Sequence, residues 1–216
     1  IEPAPLHITS PQRATGGELK AASDRIHKVL AEVKEQTGID VPVKLGAMIE
    51  TAHGAFDAGE MAKVASYFSY GTNDLTQSTL GYGRNVGAKF MGELISAKAL
   101  SADPTKQLDR DGVAKMMQLA EYLGRGESAN LESGICGGQA SDPESIRTAQ
   151  KLGVSYLSVT PGHVHKARFA GAQAAIAMKQ DAQANAAEAP AQDASRLLSR
   201  LARAQKAISV VPVPAA

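Results

Sequence analysis

The chain contains two carboxylates and one thiol whose sequence settings suit metal-assisted chemistry. Glu50 and Asp74 each follow a short apolar run, and together they could supply the hard oxygen ligands that Mg²⁺ prefers. Cys136, the single cysteine, follows a third apolar run, and a protonated thiol there could act as a general acid. Each residue alone is also typical of a solvated strand end or a buried thiol. The combination favours a metal site with a proton donor beside it. The motifs that carry these residues are 48–50, 71–77 and 134–138.

Residues beside Asp74 could bind an anionic substrate. Gly71 and Thr72 offer backbone N–H groups that a phosphate or carboxylate can approach closely, because Gly71 has no side chain. Asn73 could donate a hydrogen bond to a developing enolate oxygen, and the guanidinium of Arg84 could clamp an anion. The same residue types are also typical of a turn followed by a helix cap, and a loop arginine is also typical of solvated surface. The motif alone leaves these alternatives open.

Strands and helices alternate along the chain and place each motif at the end of a strand. Asp57 with Glu60 predicts a capping box, and Asp142 before Pro143 predicts another helix start. Apolar runs predict strands at 41–49, 67–70, 131–136 and 154–159, and prolines weaken a further strand at 1–9. Helical spacing predicts helices at 18–36, 57–65, 109–123 and 164–179, with some helix in an irregular segment at 76–98.

This alternation predicts an α/β fold with a parallel sheet. In a (β/α)8 barrel, side chains at the carboxyl ends of the strands converge on one site. In an open doubly wound sheet, ligands also gather at the carboxyl ends. In either fold the two acids and the thiol are expected to meet at one edge of the sheet.

The composition excludes several classes of function. The chain has 216 residues with 23 basic and 22 acidic side chains, so its formal net charge of +1 predicts neither a nucleic acid nor a membrane as partner. No apolar run is long enough to span a bilayer. A single cysteine excludes an internal disulfide and favours a reducing, cytoplasmic location.

The predicted domain comprises residues 1–178. Residues 179–216 differ in composition and are predicted to form an Ala-rich linker followed by a short amphipathic helix or tail.

The motifs together resemble the phosphoenolpyruvate-binding barrel of the PEP-utilising enzymes. Seven consecutive residues at 71–77 make this resemblance specific, and the segments around 101–113 and 171–175 favour the branch of the pyruvate, phosphate dikinases. The matching pieces are Gly46-Ala47-Met48-Ile49-Glu50, Phe68-Ser69-Tyr70 with 71–77, Gly83-Arg84 and Gly134-Ile135-Cys136-Gly137.

The resemblance implies a (β/α)8 barrel that interconverts pyruvate and phosphoenolpyruvate. It implies that Glu50 and Asp74 hold Mg²⁺, that residues 71–74 contact the substrate, and that Cys136 donates the proton to pyruvate enolate. In this family the phosphoryl group passes to a histidine on a separate domain, and a nucleotide-binding domain acts on that histidine.

A complete barrel needs about 200 or more residues, and this chain contains too few strands for one. The chain is therefore expected to be the C-terminal half of a barrel. The missing half, the phosphohistidine domain and the nucleotide domain would lie elsewhere, in the same or a separate chain. Two open sheet edges also predict oligomerisation.

Other functions are compatible with the same residues. A phosphoenolpyruvate synthase or a phosphoenolpyruvate–protein phosphotransferase shares these motifs. The family usually continues its Met-Ile-Glu with Pro-Arg-Ala after one apolar residue, whereas this chain has Thr51-Ala52-His53-Gly54. That departure motivates a second hypothesis, a non-catalytic assembly module derived from such a barrel. A third is a metal-dependent barrel lyase acting on an oxo acid.

Overall fold

The computed structural model describes residues 5–87 and 89–188, apart from the side chains of Arg84 and 183–188. The strands are β1 (Leu6–Ser10), β2 (Val43–Ile49), β3 (Tyr67–Gly71), β4 (Glu132–Cys136) and β5 (Tyr156–Ser158). The helices are α1 (Gly16–Thr37), α2 (Ala52–Phe56), α3 (Ala58–Ala62), α4 (Thr72–Leu80), α5 (Arg84–Gly87), α6 (Met91–Ser96), α7 (Val113–Glu127), α8 (Pro143–Lys151) and α9 (Val164–Glu188). Short 3₁₀ turns span Gly138–Ser141 and Pro161–His163.

The five strands form one parallel sheet in the order β1-β2-β3-β4-β5. A doubly wound sheet reverses its strand order at a switch point, whereas this order follows the chain throughout. The crossover helices α1, α3 and α7 pack against one another in sequence, as they do when they share one face of the sheet. This confirms the predicted α/β fold and is the arrangement of part of a (β/α)8 barrel.

The main core lies between the sheet and these helices. Ile49 and Phe68 project from β2 and β3 and are fully buried, as are Met61 on α3 and Met117 on α7. Every residue of β3 is buried, so this central strand is covered on both faces. Such a strand gives a continuous apolar and aromatic run rather than an alternating one.

Aromatic rings cover glycines on two strands of the sheet. The ring of Tyr67 lies against Gly46, and the ring of Tyr156 lies against Gly134. The two tyrosine rings meet edge to face with centroids 6.5 Å apart. Tyr67 is only 3% exposed although the strands do not close into a complete barrel. The two tyrosine rings therefore cover part of this face of the sheet with side chains of the same chain.

Replacing Gly134 by Ala is expected to destabilise the fold by about 1–3 kcal/mol, because a Cβ there would lie 2.0 Å from the Tyr156 ring. Gly126 in α7 offers a matched control, since a Cβ there meets nothing within 4 Å. Gly126→Ala should stabilise the helix by about 0.5–1 kcal/mol. Urea denaturation followed by circular dichroism measures both changes. Equal unfolding free energies for the two variants would contradict the close contact.

The predicted capping box at Asp57 and Glu60 is wrong. The segment forms two short helices, α2 and α3, and the Asp57 side chain makes no cap hydrogen bond there. Its Oδ2 instead accepts a hydrogen bond from the amide of Gly16 at 2.7 Å, at the start of α1. Glu60 pairs with Lys63. The buried amino end of α1 needs an acceptor, and this long-range need overrides the local motif.

Three further helices have boundaries that differ from the sequence prediction by several residues. Helix α4 begins at Thr72, inside the polar motif. Helix α7 begins at Val113 because the Asp109 carboxylate accepts the amides of Gly112 and Val113 at 2.9 and 3.2 Å. Helix α9 continues to Glu188 through residues predicted to be linker, which is consistent with the high helix propensity of alanine. The predicted tail at 189–216 lies outside the described residues, and the domain boundary at 178 stays a prediction.

Candidate functional site

The predicted polar residues lie at the carboxyl edge of the parallel sheet. Glu50 follows β2 directly, and Gly71 ends β3. Gly71 is paired in register with Cys136 on β4, and on its other side a Cβ would lie 2.6 Å from Glu50 Oε2. Gly71 therefore lies on the strand between the acid and the thiol, with the Glu50 side chain on one side and Cys136 on the other. Residues far apart in the sequence converge as predicted.

Glu50 and Asp74 form an unfavourable pair of neighbouring acids. Glu50 is 4% exposed, and its Oε1 accepts a hydrogen bond from the backbone amide of Gln12 at 2.7 Å. Burial raises the pKa of Glu50, and the nearby Asp74 carboxylate raises it further despite the Gln12 hydrogen bond. Asp74 is exposed, and its Oδ1 accepts a hydrogen bond from Gln77 Nε2 at 3.0 Å. A cation between the two acids would relieve this repulsion.

The donor set fits a hard divalent cation. Two carboxylates from consecutive strand ends supply oxygen ligands, and Mg²⁺ commonly takes one or two such ligands and fills the rest with water or substrate oxygens. No group of three His, Cys, Asp or Glu side chains suited to a metal occurs within residues 5–87 and 89–188. A structural zinc site is therefore not formed by these residues, whereas a two-carboxylate magnesium site remains compatible with them.

The half-buried thiol of Cys136 lies between two groups of β3. The Ser69 hydroxyl donates a hydrogen bond to Cys136 Sγ at 3.4 Å, and Sγ–H donates to the carbonyl of Tyr70 at 3.5 Å. The first contact stabilises a thiolate and the second stabilises a thiol. The sulfur therefore has a partner in either protonation state.

Tyr156 adds a further hydroxyl close to the thiol. Its O–H donates to the carbonyl of Phe68 at 3.1 Å. Burial raises the pKa of Tyr156 to about 12, although a hydrogen bond with Ser69 acts in the opposite direction. The phenol therefore stays protonated at neutral pH.

Thr72 and Asn73 join the start of α4 to the turn after β4. Thr72 is fully buried, and its hydroxyl lies 2.7 Å from Gln139 Oε1 and 3.0 Å from the carbonyl of Cys136. Asn73 Oδ1 accepts a hydrogen bond from the Gly138 amide at 3.2 Å. Because the Asn73 oxygen accepts this hydrogen bond, its NH₂ group is left to donate one, as binding to a substrate oxygen requires.

Gly137 allows these two segments to approach each other. Its φ of +119° is a conformation that other residues rarely adopt. A Cβ there would also lie 2.6 Å from Thr72 Oγ1. Gly137 therefore allows the start of α4 to lie close to the turn after β4.

Arg84 is the one predicted site residue whose side chain the structure does not describe. Arg84 begins α5, and its role as an anion clamp stays a prediction.

The segment after Glu50 that departs from the family pattern makes hydrogen bonds within the fold. His53 Nδ1 lies 2.7 Å from the carbonyl of Ala14, and Thr51 Oγ1 accepts a hydrogen bond from the Gly54 amide at 2.9 Å.

Sequence reasoning missed three participants, Gln12, Ser69 and Tyr156. Gln12 contributes a backbone amide, which no residue type reveals. Ser69 precedes Gly71 by two residues on β3, and Tyr156 precedes Ser158, the register partner of Cys136, by two residues on β5. Because side chains two residues apart on a strand share a face, this period could have placed both near the site.

The fold and the site define a parallel α/β domain of barrel type with an acid pair and a thiol at its carboxyl edge. Residues 3–176 match the family described as PEP-utilising enzyme, PEP-binding domain. The chain belongs to this family, which confirms the resemblance predicted from its motifs.

Two curated relatives of the chain are named pyruvate, phosphate dikinases. The chain is 40% identical over 159 residues to the pyruvate, phosphate dikinase of Clostridium symbiosum, which covers 74% of this chain and 18% of that protein. It is 39% identical over 170 residues to pyruvate, phosphate dikinase 1, chloroplastic, of Arabidopsis thaliana, which covers 79% of this chain and 18% of that protein. The chain thus spans about a fifth of the length of these relatives.

A solved structure supports the fold. A citrate lyase from Burkholderia xenovorans aligns with a TM-score of 0.51 at 17% identity, over 98% of this chain and 67% of that one. At this identity the likeness concerns the fold alone. Within the described residues, no helix is both long and apolar enough to cross a membrane.

Proposed function

We propose that this chain is the pyruvate- and phosphoenolpyruvate-binding part of a pyruvate, phosphate dikinase. The observation that carries the proposal is the position of Gly71, which has Glu50 on one side and Cys136 on the other. An acid pair suited to a cation and a thiol suited to proton transfer are thereby within reach of one small molecule. The curated relatives, which are named pyruvate, phosphate dikinases, support the choice of substrate.

Each residue has a separate task in the proposed reaction. Glu50 and Asp74 would hold Mg²⁺, which supplies positive charge to the oxygens of pyruvate and of its enolate. The Asn73 amide and the first backbone amides of α4 donate hydrogen bonds to the substrate. The expected anion clamp is Arg84.

Cys136 would move the proton between the protein and carbon. In the direction of pyruvate formation, the thiol proton passes to the methylene carbon of the enolate, and the sulfur retains the electron pair as a thiolate. Ser69 stabilises that thiolate by its hydrogen bond. In the reverse direction the thiolate removes the same proton from the methyl group.

The remaining steps need groups that lie beyond this domain. We propose that the phosphoryl group passes to a histidine on another domain and that the rest of the barrel packs against the open sheet edges. A cavity of about 720 Å³ beside β1 and α1 supports this packing, because it is lined mainly by apolar residues such as Ile8, Ile26 and Val29. The isolated chain is therefore expected not to complete the ATP-dependent reaction.

Oxalate, a mimic of the enolate, provides a direct test. Calorimetric titration of the purified chain should detect oxalate binding in the presence of Mg²⁺ and none in its absence. Cys136→Ala should leave this affinity within about twofold, because the thiol acts on carbon and not on oxygen. The same variant should lower deuterium incorporation into the methyl group of pyruvate by about 100-fold or more, the usual range for a general acid.

The outcomes separate the alternatives. Absence of oxalate binding would favour a non-catalytic assembly module. Cleavage of an oxo acid without a phosphate donor would favour a lyase. Unchanged deuterium exchange in Cys136→Ala would reject the thiol as proton donor, and robust phosphoenolpyruvate formation by the chain alone would reject its assignment as a fragment.

A further inference from the structure

A buried carboxylate lies behind the site, on a helix that the proposed chemistry does not use. Glu121 of α7 is 5% exposed. Its Oε1 accepts a hydrogen bond from the Tyr70 hydroxyl at 2.9 Å, and its Oε2 accepts one from Arg125 Nε at 2.6 Å. Tyr70, Glu121 and Arg125 are called here the Tyr70 anchor. An ion pair between a buried Glu121 and a partly exposed Arg125 seldom adds much stability, so its geometry is the more informative property.

The Tyr70 anchor acts on the residue that contacts the thiol. Tyr70 is fully buried and directly precedes the motif at 71–74. Its hydroxyl is fixed by Glu121, while its carbonyl accepts the hydrogen bond from Cys136 Sγ. One residue therefore connects the network in the helix layer with the proton-donor position at the carboxyl edge.

A second connection extends from the anchor to the last strand. Arg125 Nη2 donates a hydrogen bond to the carbonyl of Gly153 at 3.0 Å, in the turn that leads to β5. Strand β5 carries Tyr156, whose hydroxyl donates a hydrogen bond to the carbonyl of Phe68 on β3 at 3.1 Å. The anchor thus fixes the two strands that flank β4 and its thiol.

The Tyr70 hydroxyl is a permanent donor. Burial raises the pKa of Tyr70 well above its usual value, and the Glu121 carboxylate raises it further. The phenol therefore remains protonated over the pH range in which a thiol titrates, and the hydrogen bond to Glu121 does not depend on pH in that range.

We propose that Glu121 and Arg125 are positioning residues that fix the Tyr70 carbonyl and, through it, the hydrogen bond that this carbonyl accepts from Cys136 Sγ–H. The catalytic meaning of this arrangement rests on the proposed function, in which Cys136 donates a proton. The arrangement itself is a property of the chain and is measurable without substrate.

The test measures the rate of Cys136 alkylation by iodoacetamide as a function of pH, in the full chain and in variants. The chain has one cysteine, so the readout is unambiguous. Tyr70→Phe and Glu121→Leu each release the anchor, and the carbonyl should then lose its hydrogen bond from the neutral thiol. We expect the pH midpoint of alkylation to fall by about 0.5 unit, which is about a threefold larger thiolate fraction below the midpoint.

Two further variants separate positioning from general damage. The double variant should shift the midpoint no further than either single change, because both act through one hydrogen bond. Glu121→Gln retains an oxygen acceptor for the Tyr70 hydroxyl, so this variant should have the wild-type midpoint. Ser145→Ala, the matched control, removes a buried hydroxyl that is hydrogen-bonded to Leu108 and Asp142 and takes no part in the Tyr70 anchor, so it should leave the midpoint unchanged.

Unchanged midpoints in folded Tyr70→Phe and Glu121→Leu would overturn the proposal. An equal shift in Ser145→Ala would also overturn it, because the effect would then follow from lower stability. Oxalate titration of the same proteins tests the proposed function separately. Failure of the positioning proposal and failure of the proposed function can therefore be told apart.

Discussion

Replacing Glu50 by Gln is expected to weaken magnesium-dependent oxalate binding strongly and to stabilise the metal-free protein. Glutamine keeps the shape and the acceptor for the Gln12 amide but removes the charge that burial and Asp74 both disfavour. The loss of an anionic ligand should weaken oxalate binding by about 100-fold or more. Asp74→Asn should weaken binding to a similar extent. Calorimetry and chemical denaturation measure the two effects on the same samples.

The pH dependence of stability gives the sign of the Glu50 contribution. Its pKa in the folded protein is raised above the ordinary value of 4.5, so the folded state takes up a proton before the unfolded state does. The metal-free protein should therefore gain stability from this group as the pH falls through the folded pKa, with the full gain present below 4.5. Glu50→Gln should remove this component of the pH dependence.

Glu60 provides a matched control for the acid pair. Its exposed side chain pairs with Lys63 away from the site, so Glu60→Gln should change neither oxalate binding nor the pH component assigned to Glu50. If Glu50→Gln bound oxalate as tightly as the wild type, the acid pair would not be the metal site.

Replacing Gly71 by Ala is expected to damage both the fold and the binding site. A Cβ there would lie 2.6 Å from Glu50 Oε2 and 2.9 Å from Glu50 Cβ, and the second of these atoms is held close to the backbone. We expect a loss of about 1–3 kcal/mol in unfolding free energy, as for other insertions into packed sites. Displacement of Glu50 should also lower magnesium-dependent oxalate affinity by at least tenfold.

Gly92→Ala is the control for this substitution, since a Cβ at Gly92 meets nothing within 4 Å. It should leave oxalate affinity unchanged and alter stability by no more than about 1 kcal/mol. Wild-type affinity in Gly71→Ala would show that Glu50 is not held by the close approach of the two strands.

The sequence contains enough to predict the sheet and the edge of it at which the acids and the thiol lie. Apolar runs placed β2 to β5 to within a few residues, and the local cap at Asp142 was correct because its partner, Ser145, is three residues away. The edge shared by Glu50, Asp74 and Cys136 followed from parallel strands alone. Each of these inferences depends on short-range pattern or on a general property of the fold.

The features that could not be predicted depend on contacts between distant residues. Asp57 serves an amide 41 residues away, and Gln12 contributes a backbone group to an acid 38 residues further along. The hydrogen bond between Tyr70 and Glu121 spans 51 residues. Side-chain type does not encode such pairs, since each arises from burial after the helices have packed on the sheet.

The sequential order of the strands has a consequence for how this polypeptide acquires its structure. Among the described strands, each pairs only with its neighbours in the sequence, so the early units can assemble while later ones are still being synthesised. The longest loop closure joins β3 to β4 across the segment from α4 to α7. That closure brings Cys136 beside Gly71, so the assembly step with the greatest entropic cost also creates the juxtaposition of thiol and acid.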